Sequence, residues 1–217
     1  MAITNYTTLQ TAVARWLKRD DLTAYIPDYI AFGENRLWYG DKGQFQTLPL
    51  RLRIMQATDT GTIASQRIVL PSVTTSGVVV SSYIETQRIS VSNNGTTLPL
   101  RYLPPQQFAE QEAKTGGPSY YTFKNGAIYT AASDGSAYTH DYYGKKSPLT
   151  TTLTTNAILT AYPELYLWAA CVEGALDIMS DSMAQRFAAK LQGRINALNG
   201  VDANSYAGGS LAVTVGR

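Results

Sequence analysis

The spacing of apolar residues changes twice along the chain. Near both ends they recur at three- and four-residue steps, the period of one face of an α-helix, whereas through the middle they alternate with polar residues as in a strand with one buried face. We therefore predict an α+β fold. Residues 1–46 and 150–200 would contribute one helix pair each to a helical bundle, and residues 47–149 would form an inserted antiparallel β-rich lobe with one short helix.

Two helices are predicted in the N-terminal part of the chain. The first would be capped by Thr7 or Thr8. The second would run from Leu22 to Tyr39 and end at Gly40. The apolar face predicted for this second helix consists of Leu22, Tyr25, Ile26, Tyr29, Ile30, Leu37 and Trp38.

The predicted β-rich lobe begins with TLPLRLRIMQAT, residues 47–58, where leucine or isoleucine stands at alternate positions. Asn-Gly pairs at residues 94–95 and 125–126 predict tight hairpin turns. Between these turns, PPQQFAEQEAK predicts a short helix that starts near Pro105. The Asp-Gly pair at residues 134–135 predicts a further turn, which would extend the second hairpin into a three-stranded, tyrosine-rich meander.

The longest apolar run, YPELYLWAACVEGALDIM, occupies Tyr162–Met179. A membrane span there would place Glu173 and Asp177 in hydrocarbon, at a cost of about 2.5–3.5 kcal/mol each near the bilayer centre. We therefore predict a buried bundle helix that starts at Pro163, followed by a second helix over residues 181–199. The predicted packing stripe of the first helix consists of Leu165, Trp168, Val172, Leu176 and Met179.

Residues 201–217 differ in character from the rest of the chain. Their first half is rich in Gly, Ser and Asn, as in a linker, and their second half alternates like a strand. We predict an extended C-terminal tail that ends in a strand with no pairing partner nearby in the sequence. The residues of that strand are Leu211, Ala212, Val213, Thr214 and Val215.

Charge and composition argue against a dedicated nucleic-acid binder. Lys and Arg number 18 against 16 Asp and Glu, the formal net charge is +2, and the basic residues are scattered along the chain. The 15 tyrosines instead suit half-buried sheet surfaces and contacts between proteins.

The tyrosines of the middle region leave two interpretations open. They could line a platform for a carbohydrate or a nucleic acid, since sugars and bases stack on aromatic rings. They could also pair across strands or contact other proteins. The residues concerned are Tyr120, Tyr121, Tyr129, Tyr138, Tyr142 and Tyr143.

The search for catalytic chemistry ends without a candidate. Cys171 is the only cysteine and His140 the only histidine, and no spacing brings this imidazole to the thiol as a nucleophile would require. One histidine and carboxylates without a regular spacing do not indicate a metal site. We therefore expect a protein that is not an enzyme and has no catalytic, cofactor-binding or metal-binding residues.

Several motifs occur together and in one order. Trp16-Leu17 is followed by Arg19-Asp20-Asp21-Leu22, then by Ile26-Pro27-Asp28 and Glu34-Asn35-Arg36-Leu37. Farther along come GGPSYYTFKNGAIYTAASDGSAYTHDYYG and YPELYLWAACVEGA. With these segments, which span residues 6–198, the chain resembles the head-to-tail adaptor proteins of tailed bacteriophages, a family related in fold to tail tubular proteins.

This resemblance implies a structural virion protein at the head-tail junction, assembled in the host cytoplasm. Such adaptors form a dodecameric ring of identical subunits beneath the portal protein. The ring extends the channel through which genomic DNA passes without sequence-specific binding, and it docks a tail or nozzle protein; no membrane is involved. On this basis Leu211–Val215 are candidate portal-binding residues. Tyr138, Tyr142, Tyr143 and Glu173 are candidate contacts with a neighbouring subunit or a tail protein.

Overall fold

In the computed structural model of the protein, residues 2–19, 21–75, 78–93, 95–112, 119–131 and 135–207 are described. They form an α+β fold, which confirms the predicted fold class. The helices are α1 (Tyr6–Leu17), α2 (Ile26–Tyr39), α3 (Pro105–Glu112), α4 (Ala157–Ala161), α5 (Pro163–Asp177) and α6 (Asp181–Ala207). The strands are β1 (Gln56–Thr62), β2 (Arg67–Val69), β3 (Ser72–Thr75), β4 (Val78–Ser81), β5 (Tyr83–Asn93), β6 (Thr96–Pro99), β7 (Arg101–Tyr102), β8 (Tyr120–Lys124), β9 (Ala127–Thr130) and β10 (Ala137–Gly144).

The chain divides into two units. A helical unit contains the residues up to Ile54 and those from Lys146 onward, and it holds α1, α2, α4, α5 and α6. A β unit, Met55–Lys145, holds α3 and the strands. The helices from the two ends of the chain therefore share one unit.

Helix α5 occupies the centre of the helical unit, because α1, α2, α4 and α6 all contact it. It begins at Pro163, as predicted, since proline has no N–H to lose in the first turn of a helix. Many of its buried residues are small, and these are Ala169, Ala170, Cys171, Gly174 and Ala175. Small side chains on a central helix allow the neighbouring helices to approach it closely.

Gly33 of α2 makes one of these close approaches. A Cβ atom on Gly33 would lie 2.9 Å from the Ala170 nitrogen and 3.0 Å from the Ala169 carbonyl carbon. The contact is therefore with the backbone of α5, which cannot move aside as a flexible side chain can. Gly174 of α5 has a similar role, since a Cβ atom there would lie 2.6 Å from Leu17 Cδ1.

Helix α1 is capped by Asn5, so the predicted caps Thr7 and Thr8 are wrong. The Thr8 N–H donates to Asn5 Oδ1 at 2.9 Å, and the Asn5 N–H donates to Thr8 Oγ1 at 3.0 Å. This is a reciprocal capping box, in which Thr8 is the residue that reaches back to the cap.

Helix α2 begins at Ile26 and not at Leu22. Pro27 lies in its first turn, where the missing N–H costs nothing, whereas a helix that began at Leu22 would hold this proline in its interior. Gly40 ends the helix as predicted, with a φ of 70° and its N–H donating to the Arg36 carbonyl.

The C-terminal helices differ from the prediction where they end. α5 ends at Asp177, and Met179, placed in its packing stripe by the sequence pattern, has a φ of 54° and is 91% exposed. α6 continues through Gly200 to Ala207, so residues 201–207 are helical and not extended. Glycine ends a helix where it adopts a positive φ, which Gly200 does not, and its cost inside a helix is only about 1 kcal/mol.

The strand predicted over residues 47–58 is wrong over most of its length, because β1 begins only at Gln56. The preceding segment is hydrogen-bonded to helices: the Leu48 N–H donates to the Gln192 side chain at 2.6 Å and the Leu50 N–H donates to the Leu37 carbonyl at 2.8 Å. Pro49, which lies between them, has no N–H to offer a strand ladder.

The described residues of the β unit form two four-stranded sheets and one two-stranded sheet. Their strand orders are β1-β10-β5-β6, β2-β9-β8-β7 and β3-β4. The predicted hairpin turn at Asn125-Gly126 is confirmed, since both residues have positive φ and β8 and β9 are antiparallel neighbours. A core cluster draws residues from both four-stranded sheets, and its members are Ile63, Ile68, Ile89, Val91, Leu100 and Ile128.

The predicted meander of three strands is wrong. β9 pairs with β2 and β8, whereas β10 pairs with β1 and β5 in the other four-stranded sheet. The chain therefore passes from one sheet to the other after β9 ends at Thr130 and before β10 begins at Ala137. Because Ile128 of β9 and residues of both sheets share the core cluster, this crossing allows the two sheets to cover one core.

We predict that Gly33→Ala destabilises the protein by about 1–3 kcal/mol, because the added methyl group must displace the backbone of α5. Gly193→Ala is the matched control. Gly193 lies inside α6 with open space around its Cβ position, so alanine should stabilise the protein by about 0.4–1 kcal/mol. Chemical denaturation measures both changes, and equal stability of the two variants would contradict the close packing of α2 on α5.

Candidate functional site

Helix α2 exposes three aromatic side chains along one face. Tyr25, at its N-cap, is 56% exposed, Phe32 is 57% exposed and Tyr39 is 54% exposed. They are seven residues apart, which is close to two helical turns, so they lie in one line along the helix. This line is the aromatic face of α2.

The packing of α2 explains why this face is open. Gly33 fixes the side of the helix that contacts α5, and Phe32, about 100° away around the helix axis, is exposed together with Asn35. The sequence pattern had placed Tyr25 on the buried side, and this is wrong. Phe32 and Tyr39 had no predicted role, although the seven-residue spacing of aromatic residues was visible in the sequence.

The aromatic face continues into two grooves beside the C-terminal half of α2. One groove is lined by Phe32, Asn35, Arg36, Tyr39, Gly40, Asp41 and Glu173. The other is lined by Tyr39, Asp41, Lys42, Gln46, Thr47, Leu48, Pro49 and Gln192. Tyr39 lies on both grooves, and Leu48, which is 56% exposed, extends the apolar surface beyond the end of α2.

A buried guanidinium lies at the base of the first groove. Arg36 Nε is 2.6 Å from Glu173 Oε1, and one of its terminal nitrogens is 2.7 Å from Asp41 Oδ2. The same nitrogen donates to the Phe45 carbonyl at 3.2 Å. Together with the Gly43 N–H, this guanidinium lowers the pKa of Asp41. Arg36 thus holds α2, α5 and the turn after α2 in one arrangement.

Glu34 is buried on the side of α2 away from the solvent. Its Oε1 accepts the Leu149 N–H at 2.9 Å, which ties α2 to the segment that enters α4. Burial raises the pKa of Glu34 to about 7, and the single hydrogen bond to the carboxylate offsets only part of that shift.

The candidate tyrosines of the β unit do not form one surface. Tyr138 donates its hydroxyl to Asp59 Oδ2 at 2.8 Å, and burial and this carboxylate raise its pKa to about 12. Tyr142 is buried and packs against the rings of Tyr83 and His140, so it offers little to a partner. Tyr143 is half-buried.

The same distribution weakens the idea of a stacking platform. Tyr120, Tyr121 and Tyr129 lie on β8 and β9, whereas the other three lie on β10 in a different sheet. Each of the six is half-buried or buried. A platform for a sugar or a base would need several exposed rings in one plane or groove.

Comparison with known protein families gives a match over nearly the whole chain. The family of the SU10 adaptor protein matches residues 4–214. The chain belongs to the SU10 adaptor protein family. This confirms the resemblance seen in the sequence motifs, and it makes the protein a phage adaptor, a component of the virion with a structural role. No curated protein sequence matches the chain.

A structural role agrees with the state of the one thiol in the chain. Cys171 is completely buried on α5, and burial raises its pKa to about 12. The thiol is therefore protonated at neutral pH, which is the unreactive form. His140 is part of the β unit, where burial lowers its pKa and its Nε2 lies 3.0 Å from Thr86 Oγ1.

Among the residues that the structure describes, no group of three or more His, Cys, Asp and Glu could hold a metal ion. No helix within the described ranges is long and apolar enough to cross a membrane. The candidate portal-binding residues Leu211–Val215 lie outside the described residues, so their role stays a prediction.

We predict that Glu34→Gln makes the protein more stable than the wild type at pH 8 and changes its stability much less at pH 5. The folded-state pKa of about 7 lies above the unfolded value, so the stability from a protonated Glu34 is complete below about pH 4.5 and is lost as the pH rises through 7. An amide keeps the acceptor for the Leu149 N–H without ionising. The difference between the two pH values should be about 2–3 kcal/mol.

Denaturation curves of both proteins at several pH values measure this effect. Glu110→Gln, at an exposed glutamate of α3, is the control and should keep the pH dependence of the wild type. Parallel stability profiles of wild type and Glu34→Gln would show that Glu34 is ionised in the folded protein at neutral pH.

Proposed function

We propose that this adaptor assembles into a ring beneath the portal of a filled phage head, extends the DNA channel and docks the tail. Membership of the SU10 adaptor family supports the structural role. The observation that carries the proposal is the aromatic face of α2, because three large exposed rings in one line are unusual on a protein that acts alone. The subunits of the ring contact one another through this face.

The size of the aromatic face fits the centre of a subunit contact. Tyr and Phe side chains bury about 150–250 Å² each, so three half-exposed rings supply about 300 Å² of apolar contact. A stable interface buries about 800 Å² per partner. The rings would therefore be the central anchors, with the neighbouring grooves and polar residues as the rim.

The ion pairs behind the face support the same role. Arg36 is held by two carboxylates and a carbonyl, so the groove between Phe32 and Tyr39 has a fixed shape before a partner arrives. A surface that is already ordered loses less entropy on binding. Glu173 lines this groove, and we propose that it contacts the neighbouring subunit there while it stays paired with Arg36.

Other surfaces would contact the other partners. We propose that Leu211–Val215 bind the portal protein by adding a strand to one of its sheets. Tyr138 and Tyr143 of β10 are the proposed contacts with a tail or nozzle protein. Genomic DNA would pass through the channel without sequence-specific binding, in agreement with a net charge of only +2.

We predict that Phe32→Ser combined with Tyr39→Ser prevents ring formation on the portal without unfolding the subunit. Both side chains are more than half exposed, so thermal stability should change by about 0.5 kcal/mol or less for each. Loss of two interface anchors should weaken subunit association by at least about tenfold.

Native mass spectrometry of the protein mixed with its phage's portal counts the bound subunits. The control is Met179→Ser, which removes a 91% exposed apolar side chain of the same unit that does not belong to α2. Full rings with the double variant would contradict a subunit contact through α2, and loss of rings with Met179→Ser would show that any apolar surface residue matters.

A further inference from the structure

A further exposed pocket, in addition to the two grooves beside α2, lies between the C-terminal end of α1 and helix α6. It has a volume of about 340 Å³ and is lined by Trp16, Lys18, Met183, Arg186, Phe187 and Lys190. The lining combines aromatic rings with three cationic side chains. We call it the cationic pocket; the aromatic face of α2 contributes no residue to it.

The floor of the cationic pocket is built from aromatic rings in fixed contact. Trp16 meets Trp168 of α5 edge to face at 4.8 Å, and Trp168 stacks on Phe187 at 5.9 Å. Lys190 Nζ lies 4.9 Å and 4.4 Å from the centres of the two indole systems. These cation–π contacts place a positive charge above an apolar floor without neutralising it.

The cationic pocket lacks the carboxylates that would balance it. Within the described ranges, Lys18, Arg186 and Lys190 form no ion pair. Trp16 is still 37% exposed, so the floor is also incompletely covered. A carboxylate beside an aromatic side chain fits this pocket, because the carboxylate then meets the cationic side chains and the aromatic ring meets the aromatic floor.

The aromatic face of α2 carries this combination. Asp28 is exposed and lies on the same side of the helix as Tyr25 and Phe32, three residues after one and four before the other. Asp28 forms no ion pair with another described residue. Both surfaces are open in the same chain, so one copy does not use its own α2 to fill its own pocket.

We propose that Asp28 and its flanking aromatic rings on one subunit seat in the cationic pocket of the next subunit. The inference rests on the proposed ring and names the partner of the aromatic face: a second copy of this chain. Two different surfaces make the contact, so it is head-to-tail, and each subunit keeps one free face and one free pocket for the following copies. Contacts of this kind close into a ring when the rotation between neighbours divides a full turn.

Charge exchange between the two surfaces tests the pairing. Asp28→Arg alone places a cation against the pocket, and Arg186→Asp alone places a carboxylate against Asp28. Each variant should lower the number of subunits assembled on the portal by at least about tenfold. A chain with both substitutions, and an equimolar mixture of the two single variants, should each recover assembly, because the opposite charges then meet again.

Neither chain in the mixture carries both substitutions. Recovery of assembly there must therefore come from contacts between two different subunits and not from a change in the folding of one subunit. Lys124→Asp, at an exposed lysine of β8, is the control for charge reversal elsewhere and should assemble like the wild type. Thermal unfolding of each variant checks that the subunit is folded. Assembly that is unaffected by either single variant, or lost without recovery in both the double variant and the mixture, would overturn the proposal.

Cysteine cross-linking tests the head-to-tail direction. Ala31→Cys lies on the exposed side of α2 and Met183→Cys lines the pocket, whereas the native Cys171 is completely buried and leaves little background. On the portal, a chain with both new cysteines should give a ladder of cross-linked species beyond the dimer with a short bismaleimide. Ala31→Cys alone should give no cross-linked product, and a strong dimer from it would show a face-to-face contact and overturn the proposal.

The outcomes distinguish this inference from the proposed function. If wild-type rings form on the portal and resist charge exchange, the adaptor function stands and the pairing of Asp28 with the pocket is wrong. If the wild type binds no portal and forms no ring, both fall. If Arg186→Asp abolishes portal binding and neither the double variant nor the mixture recovers it, the pocket binds an acidic segment of the portal instead of a second copy.

Discussion

The helical unit depends on the contact between α2 and α5 at Gly33. There the backbone of α5 lies so close that a single methyl group would not fit, and Arg36 and Glu173 join the same two helices one turn farther along. This contact determines which side of α2 is buried. Because Gly33 faces α5, Phe32 and Tyr39 face the solvent, and the surface that we assign to subunit contacts is a consequence of packing in the core.

Two complementary surfaces on one small unit suit a protein whose role is to assemble. The aromatic face of α2 carries an acidic residue, and the cationic pocket between α1 and α6 carries three basic residues above aromatic rings. Neither needs a catalytic group, and the one thiol is buried and protonated. The net charge of the chain is only +2, so the charge complementarity is confined to these two surfaces. It orients neighbouring subunits more than it attracts them over a distance.

The two helix pairs were predictable because their apolar spacing is strong and Pro27, Pro163 and Gly40 mark their ends. The alternation before Gln56 was misleading, since those N–H groups bond to α2 and to Gln192 of α6, which is distant in sequence. Asp-Gly pairs show where the chain turns but not which sheet it enters. The aromatic face was missed because Tyr25 was assigned to the buried side and Phe32 and Tyr39 to no contact, whereas an interface residue is exposed until its partner binds.

Electron microscopy of the full chain mixed with the portal protein of its phage shows whether the adaptor assembles there. We expect a closed ring of adaptor subunits on one face of the portal. A chain that ends at Ala207 keeps the whole of α6 and should remain folded but leave the portal bare, since it lacks Leu211–Val215. Portals without added density, with the intact adaptor present only as free monomers, would contradict the account.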